Sequence, residues 1–208
     1  MSAQDVADLV HEIQEERADS AANERFRNRA ALLVAALAAV LAVGGLGGGN
    51  ATDDAIAANI HASDTWAFYQ AKNMRQTAYE IAAADIEARL AGGSLSPAQI
   101  AADTARLEDY RATIARYDSE PDPARPGDPT AGEGKRQLAA LARTHEEARA
   151  TAEARDNNFD WAEILLQLAI VLASVAILAT SRRLLTGAAV LGGLGALLTL
   201  NGFLLLVG

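Results

Sequence analysis

The sequence contains no cysteine, which excludes disulfide bonds and metal sites built from thiolates. It is also short of positive charge: there are 18 Lys and Arg residues against 27 Asp and Glu residues, for a formal net charge of −9. Such a chain lacks the basic surface that neutralises phosphates, so we expect no nucleic-acid partner. Motifs typical of phosphate-binding loops, zinc proteases and serine hydrolases are absent, and the three histidines are far apart. We therefore predict that the protein is not an enzyme and needs no metal or cofactor.

Long apolar stretches occupy residues 30–49, 161–181 and 184–207, and Glu163 is the one charged residue in them. Each has about the 20 residues that an α-helix needs to cross a bilayer. We predict an all-α integral membrane protein with three transmembrane helices and a long extramembranous helical stalk or hairpin, formed by residues 50–160.

Residues 1–29 are expected to form an amphipathic N-terminal helix. Its apolar residues recur at helical spacing: Val6, Leu9, Val10 and Ile13. The opposite side carries groups that could hold a divalent metal, Asp8, His11, Glu12 and Glu15. A solvated helix face is the favoured interpretation, because no second cluster of ligands accompanies them.

The first apolar stretch ends in a segment rich in glycine, from Gly44 to Gly49. Glycine costs up to about 1 kcal/mol relative to alanine within a helix. Two interpretations are open: a hinge or close helix crossing, or a frayed exit from the membrane.

Arginine placement predicts the orientation. Arg17, Arg25, Arg27 and Arg29 precede the first crossing, and Arg182 and Arg183 lie between the second and third crossings. Positively charged flanks stay in the cytoplasm. We therefore expect a bacterial inner-membrane protein with a cytoplasmic N-terminus, and with residues 50–160 and the C-terminus in the periplasm.

Turn residues divide the extramembranous segment into helices at 52–91, 97–118 and 135–160, with a loop at 119–134 that is rich in proline and glycine. On the first of these helices a coiled-coil-like seam is predicted from Ile60, Ala67, Met74, Ile81 and Ala88. A comparable face on the returning helix has Leu138, Leu141, Ala142, His145, Ala148, Ala152 and Phe159. His145 is expected to be packed rather than to bind a ligand. Small side chains bury little area, so this hairpin is expected to need neighbours.

A second stripe on the first helix, here called the uncharged stripe, consists of Asn59, Ser63, Trp66, Gln70, Asn73 and Thr77. A face in open water would normally carry charged residues. Amides with one tryptophan suit an interface between protein copies, so we predict an oligomer interface there. An ordinary wetted face is the alternative.

The segment that contains Asp64, Trp66, Tyr69, Gln70 and Lys72 resembles the bacterial proteins that share domain of unknown function 4337. The alanine-rich first crossing and the two C-terminal crossings fit this resemblance, which covers nearly the whole chain. It implies a bacterial membrane protein with three crossings, and it supplies neither an activity nor catalytic residues.

The third crossing contains small residues at spacings that let helices approach closely in lipid. They are Ala188, Gly192, Gly193, Gly195, Ala196 and Thr199, and we predict that they form oligomer or helix contacts. Gln167 and Asn201 are polar residues within the crossings. For both, a helix-bridging or snorkelling role is favoured over a role in permeation.

These patterns favour a structural or scaffold protein that self-associates into a homo-oligomer in the bilayer. The alternatives are a pore-forming or transport component and an accessory subunit that docks on a larger membrane complex. A pore should line its axis with repeated polar residues, and here Gln167, Thr199 and Asn201 alone qualify. The scaffold hypothesis is therefore preferred.

Overall fold

A computed structural model describes the backbone of residues 3–207 and most of their side chains, excluding those of residues 3–10, 12, 13, 15 and 18. The apolar face and the carboxylates predicted on the N-terminal helix therefore lie outside the described side chains. His11 of that group is described and is exposed.

Four α-helices make up most of the described chain: α1 (Ala3–Ala91), α2 (Pro97–Asp118), α3 (Lys135–Leu178) and α4 (Arg182–Leu204). No β-strand lies within the described residues, where one isolated antiparallel bridge joins Pro121 to Gly132. The predicted all-α class is confirmed. Of the described helices, α1, α3 and α4 are each long and apolar enough to cross a membrane.

Local sequence signals explain several helix ends. The Ser96 hydroxyl accepts a hydrogen bond from the Gln99 backbone N–H, and the Gln99 side chain accepts one from the Ser96 N–H, while Pro97 occupies the first turn of α2. Ser181 caps α4 in a similar way. After α1, Gly93 takes a left-handed φ of 68°, which glycine adopts without the strain of a side chain.

The chain divides into two compact units, a terminal unit (Met1–Asp53 and Ala152–Gly208) and a central unit (Asp54–Thr151). In the terminal unit, Leu37, Leu166 and Ala169 form a core cluster, with partly buried neighbours from α1, α3 and α4. In the central unit, a smaller cluster joins α1 to α2 through Ala83, Ile86 and Leu107.

The glycine-rich segment of α1 is helical, so the structure shows a close helix crossing there and no frayed end. A Cβ added to Gly47 would lie 2.6 Å from Phe159 Cζ and 2.8 Å from Phe203 Cζ. A Cβ added to Gly48 would lie 3.2 Å from Phe159 Cβ. The absence of side chains at these positions lets the aromatic rings of α3 and α4 pack directly against the α1 backbone.

The seam predicted on α1 is not buried against other helices of the chain. Ile60, Met74 and Ile81 are 52%, 69% and 67% exposed, and Ala67 and Ala88 are exposed as well. The face that is buried instead has mostly alanine and polar side chains, together with Ile86. On the returning helix the predicted face is largely correct: Leu138, Ala142, Ala152 and Phe159 are buried, Leu141 and His145 are half-buried, and Ala148 is exposed.

Candidate functional site: two faces of the first helix

Within the central unit, α1 presents two stripes whose members are spaced alternately four and three residues apart. The inner stripe is buried or half-buried and consists of Ala58, Ala62, Thr65, Tyr69, Lys72, Gln76, Tyr79, Ala83 and Ile86. The outer stripe is exposed and consists of Ile56, Ile60, Ser63, Ala67, Gln70, Met74, Thr77 and Ile81. An offset of two residues corresponds to about 200° around an α-helix. The two stripes therefore lie on opposite sides of α1.

Lys72 is the polar centre of the inner stripe and is 5% exposed. Its Nζ donates a hydrogen bond to the Glu133 backbone carbonyl, and it lies 3.6 Å from a carboxylate oxygen of Glu120 and 3.6 Å from one of Glu133. The Phe68 and Tyr117 ring centroids are 5.6 and 5.8 Å away. A buried ammonium is tolerated only when it is paired and hydrogen-bonded, and these groups satisfy that requirement. Lys72 thus fastens the loop at 119–134 to α1.

This loop is closed by hydrogen bonds between its two ends. The Glu133 N–H donates to the Glu120 carbonyl at 2.9 Å, and the Asp122 N–H donates to the Ala131 carbonyl at 3.1 Å. Buried Gln137 accepts from the Glu120 N–H at 3.2 Å and donates to Ser119 Oγ at 3.2 Å. From the sequence, this loop is recognised only by its many proline and glycine residues. In the structure, these hydrogen bonds give it a defined backbone conformation.

Two aspartates form turns within the loop. A hydrogen bond from the Ala124 backbone N–H, together with one from Arg125, lowers the pKa of Asp122. For Asp128, hydrogen bonds from the Thr130 hydroxyl and backbone N–H lower the pKa. Both carboxylates are therefore stabilised in their ionised forms, which are the forms that accept these bonds.

The uncharged stripe is divided between two environments. Three of its members pair with charged side chains of α3: Asn59 with Arg149 at 3.1 Å, Trp66 with Glu146 at 2.9 Å, and Asn73 with Lys135 at 2.8 Å. The other three, Ser63, Gln70 and Thr77, belong to the outer stripe. The stripe lacks charge partly because α3 supplies the charged partners of these three residues. These contacts join segments that are distant in the chain, so the sequence alone does not reveal them.

The five residues of the family-like segment likewise point in different directions. Asp64 and Gln70 are exposed, and Lys72 is buried. The Trp66 and Tyr69 rings meet edge to face at 5.4 Å, and Lys135 Nζ lies 5.8 Å from the Tyr69 ring centroid. Much of this segment therefore holds α1 to α3 and to the loop.

His145 is half-buried, and its ring lies 5.3 Å from that of His61. This fits the expected packing role. In the part of the chain that the structure describes, no group of three or more His, Cys, Asp or Glu side chains is arranged to hold a metal ion.

In the terminal unit, most of the predicted small residues pack inside the chain. Ala188, Gly192, Gly195 and Thr199 are buried, and Ala196 is half-buried. Gly192 contacts the Leu37 side chain of α1, and a Cβ added to Gly195 would lie 2.7 Å from Leu166 Cγ of α3. Gly193 differs, because no described atom lies within 4 Å of a Cβ added there.

The polar residues predicted within the crossings form hydrogen bonds within the chain. Gln167 is exposed and donates to Glu163 one turn earlier at 2.7 Å. Asn201 bridges α4 to α3 by donating to Asn158 at 2.9 Å, and it also bonds the backbone of Val207. Thr199 donates to the Gly195 carbonyl at 3.0 Å.

The chain belongs to the family defined by domain of unknown function 4337, whose sequence pattern it matches over residues 26–205. No curated protein and no solved structure matches it. Family membership accordingly brings no activity, ligand or partner to these residues.

Proposed function

We propose that this protein is a non-enzymatic membrane scaffold that spans the bilayer three times and self-associates through the outer stripe of α1. Large apolar side chains on the surface of the terminal unit support insertion: Leu32, Leu46 and Leu178 are 71%, 73% and 87% exposed. In water such a surface would be costly, whereas in lipid it is solvated by acyl chains.

The crossings are α1 from about residue 30, the apolar C-terminal part of α3, and α4. Arginines flank two of these crossings: Arg29 precedes the crossing of α1, and Arg182 and Arg183 begin α4. By the positive-inside rule the side with these arginines is cytoplasmic, and residues 50–160 and the C-terminus are periplasmic in a bacterial inner membrane.

The observation that carries self-association is the outer stripe. It has heptad spacing, contains no formal charge, and leaves Ile60, Met74 and Ile81 more than half exposed. A helix face of this kind is the type that packs against another helix. Because the stripe is uncharged, a second copy of the same face meets no like-charge repulsion. A second copy of this chain is therefore the partner that we assign to it.

The native mass of the full-length protein in mild detergent tests this assignment. Ile81→Glu and Met74→Glu should lower the particle mass, because each places a charge inside the proposed interface. Both side chains are exposed in the single chain, so its fold should persist. Ala102→Glu, on the exposed surface of α2, adds the same charge and should leave the mass unchanged.

If the wild-type particle is monomeric, or if Ile81→Glu and Ala102→Glu give particles of equal mass, the hypothesis of self-association through this face is refuted. An accessory subunit for a larger complex would then be the better interpretation. A pore is less favoured, because Thr199 and Asn201 are already engaged in hydrogen bonds within the chain and Gln167 bonds its own helix.

A further inference from the structure

Two arginine groups that are far apart in the sequence meet at one pocket of the terminal unit. The pocket lies between α1 and the first turns of α4, and it is lined by Ala22, Arg25, Phe26, Arg29, Arg182, Leu185 and Thr186. Phe26 is 8% exposed and anchors the apolar side of the pocket.

The charge of this pocket is positive, and no described residue that lines it carries a compensating negative charge. Arg25, Arg29 and Arg182 are exposed, no carboxylate lines the pocket, and none of the three forms an ion pair with another described residue. Arg182 is also the first residue of α4, a helix of 23 residues, so the positive end of that helix adds to the field. The pocket therefore favours an anion.

The side chains of the pocket indicate which kind of anion it would bind. Guanidinium groups donate paired hydrogen bonds that match the oxygens of a phosphate. Phe26 and Leu185 add apolar surface beside them, which a free inorganic ion would not use. A phosphate that is attached to an apolar body satisfies both halves of the pocket.

The positions of the arginines in the chain indicate what the apolar body attached to the phosphate is. Arg29 immediately precedes the apolar stretch of α1, and Arg182 lies two residues before the first residue of the apolar stretch of α4. If these helices span the bilayer, as proposed above, the pocket lies at the depth of the lipid head groups. We propose that it binds the phosphate of an anionic phospholipid in the leaflet next to the N-terminus, an inference that rests on the proposed membrane insertion.

The experiment titrates the purified full-length protein in mild detergent with phosphatidylglycerol, phosphatidylcholine or inorganic phosphate, and counts bound molecules by native mass spectrometry. Phosphatidylglycerol should bind more tightly than phosphatidylcholine, and millimolar phosphate should not displace it. Arg29→Gln and Arg182→Gln should each weaken phosphatidylglycerol binding about fivefold, which corresponds to the roughly 1 kcal/mol that a basic residue contributes near an anionic lipid surface.

Matched controls separate a site from general attraction to negative charge. Arg27→Gln and Arg183→Gln remove the same charge from neighbouring positions that do not line the pocket, so they should retain wild-type affinity. Equal weakening by Arg29→Gln and Arg27→Gln, or displacement of the lipid by phosphate, would overturn the proposal.

Extraction of the same variants from membranes with alkaline carbonate keeps the two proposals distinguishable. If the wild-type protein stays in the membrane fraction, but the pocket variants and the control variants bind phosphatidylglycerol equally well, the lipid site alone is refuted. Protein that is released by carbonate would refute membrane insertion itself.

Discussion

Gly192 and Gly193 are neighbours in α4, and the structure predicts opposite results when each is replaced by leucine. A Cβ added to Gly192 would collide with Leu37 Cδ2 and would lie 3.1 Å from Leu37 Cδ1 and 3.3 Å from Cγ. Leu37 is 6% exposed and belongs to the core cluster with Leu166 and Ala169, so it has little room to move. Gly192→Leu therefore forces α4 away from α1.

The expected cost follows from the size of the added group. Overpacking a well-packed core typically costs about 1–3 kcal/mol. The Cβ alone already overlaps Leu37 and leucine adds three further carbons, so we expect the upper part of this range. For a chain of this size, that loss corresponds to a fall in unfolding midpoint of roughly 4 to 12 °C.

Gly193→Leu is the control, because a Cβ at this position meets no described atom within 4 Å. Replacing glycine within a helix should be neutral or stabilising by up to about 1 kcal/mol. Both variants are compared by thermal unfolding followed by circular dichroism in one detergent, and by native mass. A Gly192→Leu protein with the wild-type midpoint, or a Gly193→Leu protein that falls equally, would refute the packing argument. A lower particle mass for Gly193→Leu at an unchanged midpoint would instead locate an oligomer contact on that side of α4.

Three further outcomes are expected in the central unit. Lys72→Met should lower the free energy of unfolding by about 2 kcal/mol, since a charged hydrogen bond contributes about 1.5–3 kcal/mol. It should also make the loop at 119–134 susceptible to limited proteolysis. If the loop is not cut in this variant, Lys72 does not hold it against α1. Trp66→Phe replaces the indole by a smaller aromatic ring and removes the N–H that donates to Glu146, so chemical denaturation should show a loss of about 1 kcal/mol. Trp161→Phe, on the exposed surface of α3, makes the same change in side chain and should show no loss. Because the folded-state pKa values of Asp122 and Asp128 are lowered, their contribution to loop stability should be complete above the ordinary aspartate pKa of 3.8 and should be lost as the pH falls below it. The measurement is the amide protection factor in the loop, which is the exchange rate relative to that of an unstructured peptide at the same pH. Protection factors that stay constant between about pH 5 and pH 3, roughly the window set by that pKa, would contradict this.

Several helix ends carry local signals that can be recognised in the sequence, whereas the segments predicted at 1–29, 30–49 and 52–91 form the single helix α1. Ser96-Pro97 starts α2, and glycines follow α1, as expected from capping chemistry. The long apolar stretches are equally easy to recognise in the sequence, because their length and their lack of charge involve only residues that are neighbours in the chain.

The faces of α1 could not be assigned in the same way. Alanine occurs on many sides of the helix, so more than one stripe has heptad spacing, and the more hydrophobic stripe is the one that remains exposed. Burial of Lys72 depends on Glu133, 61 residues further along the chain, which no local pattern can indicate. Most of the small residues of α4 are buried in the chain, but which helix approaches Gly192 is decided by the fold and not by their spacing.

The location of these faces bears on where assembly would gain its free energy. Between helices in lipid, burying apolar surface brings little advantage, so close packing of small residues must drive association. Most of the small residues of α4 are already used against α1 and α3 within the chain. In water, by contrast, burial of apolar side chains is itself favourable. The outer stripe is therefore the surface that would gain most from a second copy, and Ile81→Glu should reduce assembly more than Gly193→Leu does.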